Sequence, residues 1–493
     1  MKKKIAYGVF IVAFFLICLL PSAGMLIFGE SEAAANEILA DRPAVMLEDG
    51  TFNTNITDDI TDYIADRSAL RQEFITVYAK IYATIFGESS SDDVILGEKG
   101  WLYYASTKDD YLHINTLDDR SINGIARTLA MIQSHAESRG VTFAFTLAPN
   151  KSTVYPFSMP DVGKVSNEPN NMEKLESALA EMNVSYADIK SAVNKKVEEK
   201  YASSQLADHN TSDLYHRLDS HWNNLGAALG LKVITDTLGV EAHDWFSERH
   251  VIRYDFKGDL YEMLYPAGKE LDENMYFDKE FGFTYHEDHN GNIPAVDSIK
   301  ISTVNENRDG SLLMFRDSFG NALYPFMADS FGRAVFSRLI PYRIDWLDTM
   351  DVDYLVIEIV ERNIKNLLDR APVMAAPEIA ADDVLGAVSS GDRAVNISVK
   401  ESAELTGYSC ISGNYDISGV DDDSRVYIMA HEDGTGNQAI RVFEACPVGA
   451  ADAEGKLAGR FTAYIPSDML NSGNISVILC YDGTLEANAV SVA

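Results

Sequence analysis

Asp219-Ser220-His221 sets a carboxylate two positions before an imidazole, and Ser318 lies in Phe315-Arg316-Asp317-Ser318-Phe319-Gly320, which reads as a turn between a strand and a helix. A serine hydroxyl is a weak nucleophile until a base takes its proton, and the base works best when a third group fixes its tautomer. Ser318, His221 and Asp219 are the residues read into those roles. A serine at the first turn of a helix also lies where backbone N–H groups and the helix dipole stabilise an oxyanion, each donor lowering the barrier by about 3–4 kcal/mol. Each residue alone has a plainer explanation: Asp219 as a helix cap, His221 as a half-buried histidine bonded to backbone, Ser318 as another cap. Two rival chemistries stay open. His209, His216, Asp219 and His221 form a cluster of potential metal ligands at no standard spacing. The fold could also serve as a non-catalytic scaffold that binds cell-wall glycan.

These side chains need rigid elements to hold them. From about residue 96 to 372 the chain alternates helical and strand-like segments, the pattern of an α/β layer fold. Ser121 opens a helix with Ile122, Ile125, Leu129 and Ile132 on one face, and Gly140 closes it. Val141 to Leu147 follows as a buried strand that ends in Ala148-Pro149-Asn150-Lys151, where α/β sheets commonly place ligand groups. Asn150 and Lys151 are read as substrate-binding on that ground. Trp222 and Arg316, neighbours of the histidine and the serine, are grouped with them. Further helices are expected over 172–182, 224–238 and 321–331. Strands are expected over 184–189, 311–315, 334–338 and 354–360.

Residues 240–310 break the alternation with a long, irregular stretch dense in tyrosine and phenylalanine. Such insertions form lids or binding loops, so the rings make either a glycan-stacking surface or a hydrophobic subcluster that holds the insertion down. Past Pro372, short alternating runs separated by Gly and Asp turns indicate a small β-sandwich over 373–493.

The chain opens with Lys2-Lys3-Lys4 and an uncharged stretch from Ile5 to Gly29, long enough for a bilayer core that needs about 20 residues. Residues 1–30 are therefore expected to be a transmembrane anchor with the rest exported, in preference to a signal peptide cut near Ala33-Ala34-Ala35. A polar stalk and a helix fill 31–95. The formal charge of −34 over 493 residues repels phosphate backbones and argues against a nucleic-acid partner. Of four cysteines, Cys18 lies in the apolar run. Cys410, Cys446 and Cys480 allow one disulfide or three free thiols, and none has C-x-x-C spacing.

Four pieces in order carry a family resemblance: Gly97-Glu98-Lys99-Gly100-Trp101-Leu102-Tyr103-Tyr104, Ala148-Pro149-Asn150-Lys151-Ser152-Thr153-Val154-Tyr155-Pro156, Asp219-Ser220-His221-Trp222 and Asp317-Ser318-Phe319. Across roughly residues 50–370 the chain resembles the SGNH-hydrolase-like proteins of alginate O-acetylation, the AlgJ and AlgX type, and their DHHW relatives. Ser220 stands where the DHHW name has its first histidine, and His221 matches the second. The resemblance implies a three-layer SGNH-hydrolase-like domain with a parallel sheet. It implies acetyl transfer on a cell-surface polysaccharide through an acetyl-serine at Ser318, with no cofactor. A membrane-bound O-acyltransferase is the implied partner that presents the acetyl donor.

Overall fold

A computed structural model describes the chain except residues 1, 34–36, 203–212, 290–291, 382–383, 385–387, 432–439, 450–458, 471–474, 489 and 493. Alternation along three buried strands builds the central layer. In β1 (Thr142–Ala148), β5 (Ser311–Phe315) and β7 (Tyr354–Val360), successive side chains face opposite sides of a sheet that is apolar on both. Phe143, Phe145, Leu313, Leu355 and Ile357 meet helices α1 (Asp119–Glu137) and α2 (Asn171–Glu181) on one face. Ala144, Met314, Val356 and Val360 meet α3 (Ile189–Ala202), α4 (Asn224–Leu238) and α6 (Gly320–Ser330) on the other. The result is the expected three-layer α/β arrangement.

The sheet adds β2 (Tyr186–Ala187), β3 (Thr284–Tyr285), β4 (Lys300–Val304) and β6 (Arg333–Ser337), in the order β2-β1-β7-β5-β6-β4-β3. The five strands from β2 to β6 run parallel, whereas β4 pairs antiparallel with both β6 and β3. The sheet is thus mixed rather than purely parallel. Two short strands from the aromatic insertion extend one edge, a pairing direction that short runs do not reveal in sequence. Helix α1 is capped by Asp118, whose carboxylate accepts the Ser121 N–H, not by Ser121 itself.

Most rings of the insertion pack inward. Trp245, Phe277, Phe281 and Phe326 stack edge-on or tilted with centroids 4.6 to 5.7 Å apart, which pins the insertion to α6. The subcluster accounts for these rings, with Phe281 at its solvent edge and Tyr254 exposed. The insertion also carries the strand pair His250–Phe256 and Asp272–Phe277 with the short helix α5 (Asp259–Leu264) between them. After residue 377, sheets of six and five strands close over Ile397, Ile411, Ile428, Phe461 and Val477 as a β-sandwich. Arg127 of α1 grips the buried Glu444 of that sandwich through both carboxylate oxygens. Cys410, Cys446 and Cys480 are free thiols.

At the N-terminus, helices span Lys2–Phe28, Ile56–Arg67 and Arg71–Phe86. Among the described residues no helix is long and apolar enough to cross a membrane. The anchor expected over 1–30 therefore finds no support among them, and many of its side chains lie outside the described residues.

Candidate active site

Parallel strands put their carboxyl ends on one edge, and the residues of interest collect there. Ser318 follows β5, Asn150 and Lys151 follow β1, and Glu361 and Arg362 follow β7. The loop with Asp219 and His221 precedes α4 and is folded by its own backbone, with the His216 N–H on the His221 carbonyl and Tyr215 bridged to Trp222.

The three residues of the proposed relay converge. His221 Nε2 lies 2.9 Å from Ser318 Oγ. His221 Nδ1 lies 2.7 Å from Asp219 Oδ1. That carboxylate also accepts the His221 N–H at 2.8 Å on Oδ1 and the Asp259 N–H at 2.8 Å on Oδ2. Asp219 is buried and His221 half-buried, with the ring 4.8 Å from the Phe319 ring. Burial works against ionisation of Asp219, but the imidazole and the N–H donors outweigh it and hold the carboxyl well below its usual range. Burial likewise opposes charge on His221, and the Asp219 and Asp259 carboxylates outweigh it and raise its pKa. A proton on Nδ1, facing Asp219, leaves the Nε2 lone pair toward the serine hydroxyl.

The turn that carries Ser318 is tied down by its neighbour. Asp317 Oδ1 accepts the Phe319 N–H at 2.9 Å, and Oδ2 accepts the Val360 N–H at 2.8 Å and Asn363 Nδ2 at 3.2 Å. The expected oxyanion donors at the start of α6 are thus reduced, because the Phe319 N–H points into Asp317. Gly320 permits the tight turn, since a Cβ there would meet Arg316 Cδ at 2.5 Å.

The four residues read as substrate-binding are all buried, with their polar groups directed into the protein. Trp222 is a core ring whose Nε1 donates to the Phe319 carbonyl at 2.9 Å and so links the histidine loop to the serine turn. Arg316 donates to the carbonyls of Asp317 and Val296 and to Asn321 Oδ1, beside the Tyr324 ring. Asn150 donates through Nδ2 to Asp110 at 3.0 Å and through its backbone to Glu361 at 2.8 Å. Lys151 donates to the carbonyls of His216 (3.1 Å), Arg217 (3.2 Å) and Asp219, with the Trp101 and Tyr103 rings alongside. Burial brings its pKa down to about 8. Lys151→Met would strand three carbonyls, with an expected loss of about 2–4 kcal/mol of stability. Denaturant unfolding checks this.

Glu361 joins the ends of β1 and β7 by accepting the Asn150 N–H, Thr153 Oγ1 at 2.7 Å and Asn170 Nδ2 at 3.3 Å. Burial, then the neighbouring Asp110, pushes its pKa from 4.5 up to about 7. A raised folded pKa gives stability that is complete below the unfolded value and lost as pH rises through the folded one. The melting temperature should therefore fall between about pH 4.5 and 7, and Glu361→Gln should flatten that slope in calorimetry.

Metal ligation fits this site poorly. His209 lies outside the described residues. His216 is stacked on Phe256 at 3.8 Å, with Nδ1 2.9 Å from the Glu273 carbonyl. Among the described residues, Asp219, His221 and Asp259 are near enough to share an ion. Both oxygens of each carboxylate already accept N–H or O–H donors, which a cation would have to displace. Asp259 was missed by sequence reasoning, since nothing in its own neighbourhood signals that it reaches a loop forty residues earlier.

The fold and site define a three-layer α/β protein with a serine, a histidine and an aspartate in hydrogen-bonded series at the carboxyl edge of its sheet. Residues 94–273 match the family model described as SGNH hydrolase-like domain, acetyltransferase AlgX, in keeping with the resemblance read from the sequence. The match includes Asp219, His221 and Asp259 and stops before Ser318. Solved structures similar to the chain include a DHHW family protein from Eubacterium siraeum (17% identity, TM-score 0.40, 56% of this chain and 96% of that one). Bacillus cereus PatB1 with a sulfonyl adduct is similar at 16% identity and TM-score 0.42, over 56% of this chain and 97% of that one. Pseudomonas aeruginosa AlgX is similar at 12% identity and TM-score 0.34, over 83% and 98%. No curated protein matches the chain.

Proposed function

We propose that the chain is an extracytoplasmic serine O-acyltransferase or acetylesterase that moves acetyl groups on or off a cell-surface polysaccharide. The observation that carries this reading is the hydrogen-bonded series from Ser318 Oγ through His221 to Asp219, at 2.9 and 2.7 Å. The acetyltransferase family model over 94–273 supports the acyl group. Lys2-Lys3-Lys4 before the uncharged run supports an exported globular part anchored at the membrane. The family resemblance suggests a membrane-bound O-acyltransferase as the partner that presents the donor, in keeping with an exported enzyme having no direct access to cytoplasmic acetyl-CoA.

In the proposed reaction, Ser318 Oγ attacks the acetyl carbonyl while His221 Nε2 takes its proton. The tetrahedral intermediate collapses as the imidazolium returns that proton to the leaving oxygen, which leaves an acetyl ester on Ser318. A sugar hydroxyl, or water, then gives its proton to Nε2 and attacks the ester, and the second collapse restores the serine. Asp219 keeps the Nδ1 proton in place and offsets the imidazolium charge throughout. Purified protein given a chromogenic acetate and an oligosaccharide acceptor tests the reading. Release of chromophore and acetylation of sugar that both vanish in Ser318→Ala support it, and turnover indifferent to that substitution contradicts it.

A further inference from the structure

The aromatic insertion does more than cover the sheet. Gly258 brings α5 against the histidine loop, where a Cβ would lie 2.2 Å from the Leu218 carbonyl oxygen. The Tyr261 N–H donates to that same oxygen at 3.0 Å. This contact aims Asp259 into the relay. Its backbone N–H holds Asp219 Oδ2 at 2.8 Å, and its carboxylate accepts the Ser220 N–H at 2.7 Å and the Ser220 hydroxyl at 2.6 Å. Asp259 Oδ2 then lies 3.6 Å from His221 Nδ1, with Ser220 Oγ at 3.2 Å from the same nitrogen.

We propose that Asp259 is a positioning residue for His221, a second carboxylate that orients Asp219 and Ser220 on the Nδ1 side and favours the imidazolium formed when Ser318 gives up its proton. The assignment rests on the serine reading above. It gives Ser220 a purpose: with its O–H directed to Asp259, its lone pairs are free to face the Nδ1 proton. The charged and titratable groups around the imidazole are Asp219 from its own loop, Asp259 from α5 and Arg362 from the turn after β7, with Lys151 and His216 behind Asp219. Arg362, over the Phe319 and Tyr104 rings, opposes protonation of His221, and the two carboxylates favour it. Burial and the neighbouring Asp219 raise the carboxyl of Asp259 itself. The acid limb of activity is therefore a shared titration of these groups.

Steady-state kinetics of the full chain on a chromogenic acetate, across pH, tests the assignment. Asp259→Asn is expected to lower kcat about tenfold with KM within about twofold, and to move the acid limb of kcat/KM down by about one pH unit. Asp259→Glu should restore most of the rate and return the limb. Ser220→Ala, which deletes only the hydroxyl link, should lower kcat several-fold while the fold stays intact. An acid limb unmoved in Asp259→Asn, or a rate that falls only in step with melting temperature, would overturn the positioning role. A full rate in Ser220→Ala would do the same should Asp259→Asn not fold. Turnover that survives Ser318→Ala would instead overturn the serine reading, and this assignment with it.

Discussion

Ser318→Ala is expected to cut acetyl turnover by about 10⁵-fold or more, the scale seen when a serine nucleophile acting in concert with its base is removed. The substitution deletes one hydroxyl from a partly exposed turn that Asp317 holds independently through Phe319, Val360 and Asn363. The melting temperature should therefore stay within about 2 °C of wild type. Stability and activity separate cleanly here, which makes the variant informative. Steady-state rates beside a thermal melt give the result, and residual turnover near wild type would remove the serine from the chemistry.

The second large effect is at Asp219. Asn in its place has one acceptor oxygen and one amide donor, whereas the site presents three N–H groups: His221 Nδ1, the His221 backbone and the Asp259 backbone. Either orientation of the amide sets donor against donor. Where the NH2 faces the imidazole, Nδ1 has to give up its proton to Nε2, the wrong tautomer for accepting from Ser318. A loss of about 10⁴ in kcat follows, near 5.5 kcal/mol of transition-state stabilisation. Because Asp219 helps raise the His221 pKa, its neutralisation should also move the acid limb of kcat/KM to lower pH. Unlike Ser318→Ala, this variant should also be less stable. A full pH profile beside a denaturant melt checks both parts, and an unchanged rate with an intact fold would remove Asp219 from the relay.

The contrast between these residues and Asn150, Lys151, Trp222 and Arg316 shows what local sequence carries. Asp219 and His221 lie close enough in the chain for one loop to hold them, and Ser318 follows a strand whose apolar run is unmistakable. The central strands over 311–315 and 354–360 are legible because buried parallel strands read as continuous hydrophobic segments, whereas the run over 184–189 keeps only Tyr186–Ala187 in the sheet. Direction was not legible. Asn150 and Lys151 do sit past the end of β1, but their side chains turn inward, where three carbonyls await the lysine and a carboxylate awaits the asparagine. Trp222 lies next to the histidine in sequence but packs in the core against Phe319 and Tyr215, since a ring of that size is most stable there. Asp259 and Glu361 matter through contacts with distant segments, and neither has a local pattern that would single it out. The mixed character of the sheet is not legible for a related reason: β3 and β4 are short runs inside an insertion, and pairing direction depends on the path between strands.

The most direct measurement is intact-protein and peptide mass spectrometry after brief incubation with an acetyl donor at a pH below the acid limb, where deacylation is slow. The account predicts a single added acetyl group on the peptide that contains Ser318, present in wild type, absent in Ser318→Ala and cleared when an acceptor is added at higher pH. Turnover of the donor with no acetyl on that peptide under any quench, or the same adduct in Ser318→Ala, would contradict it.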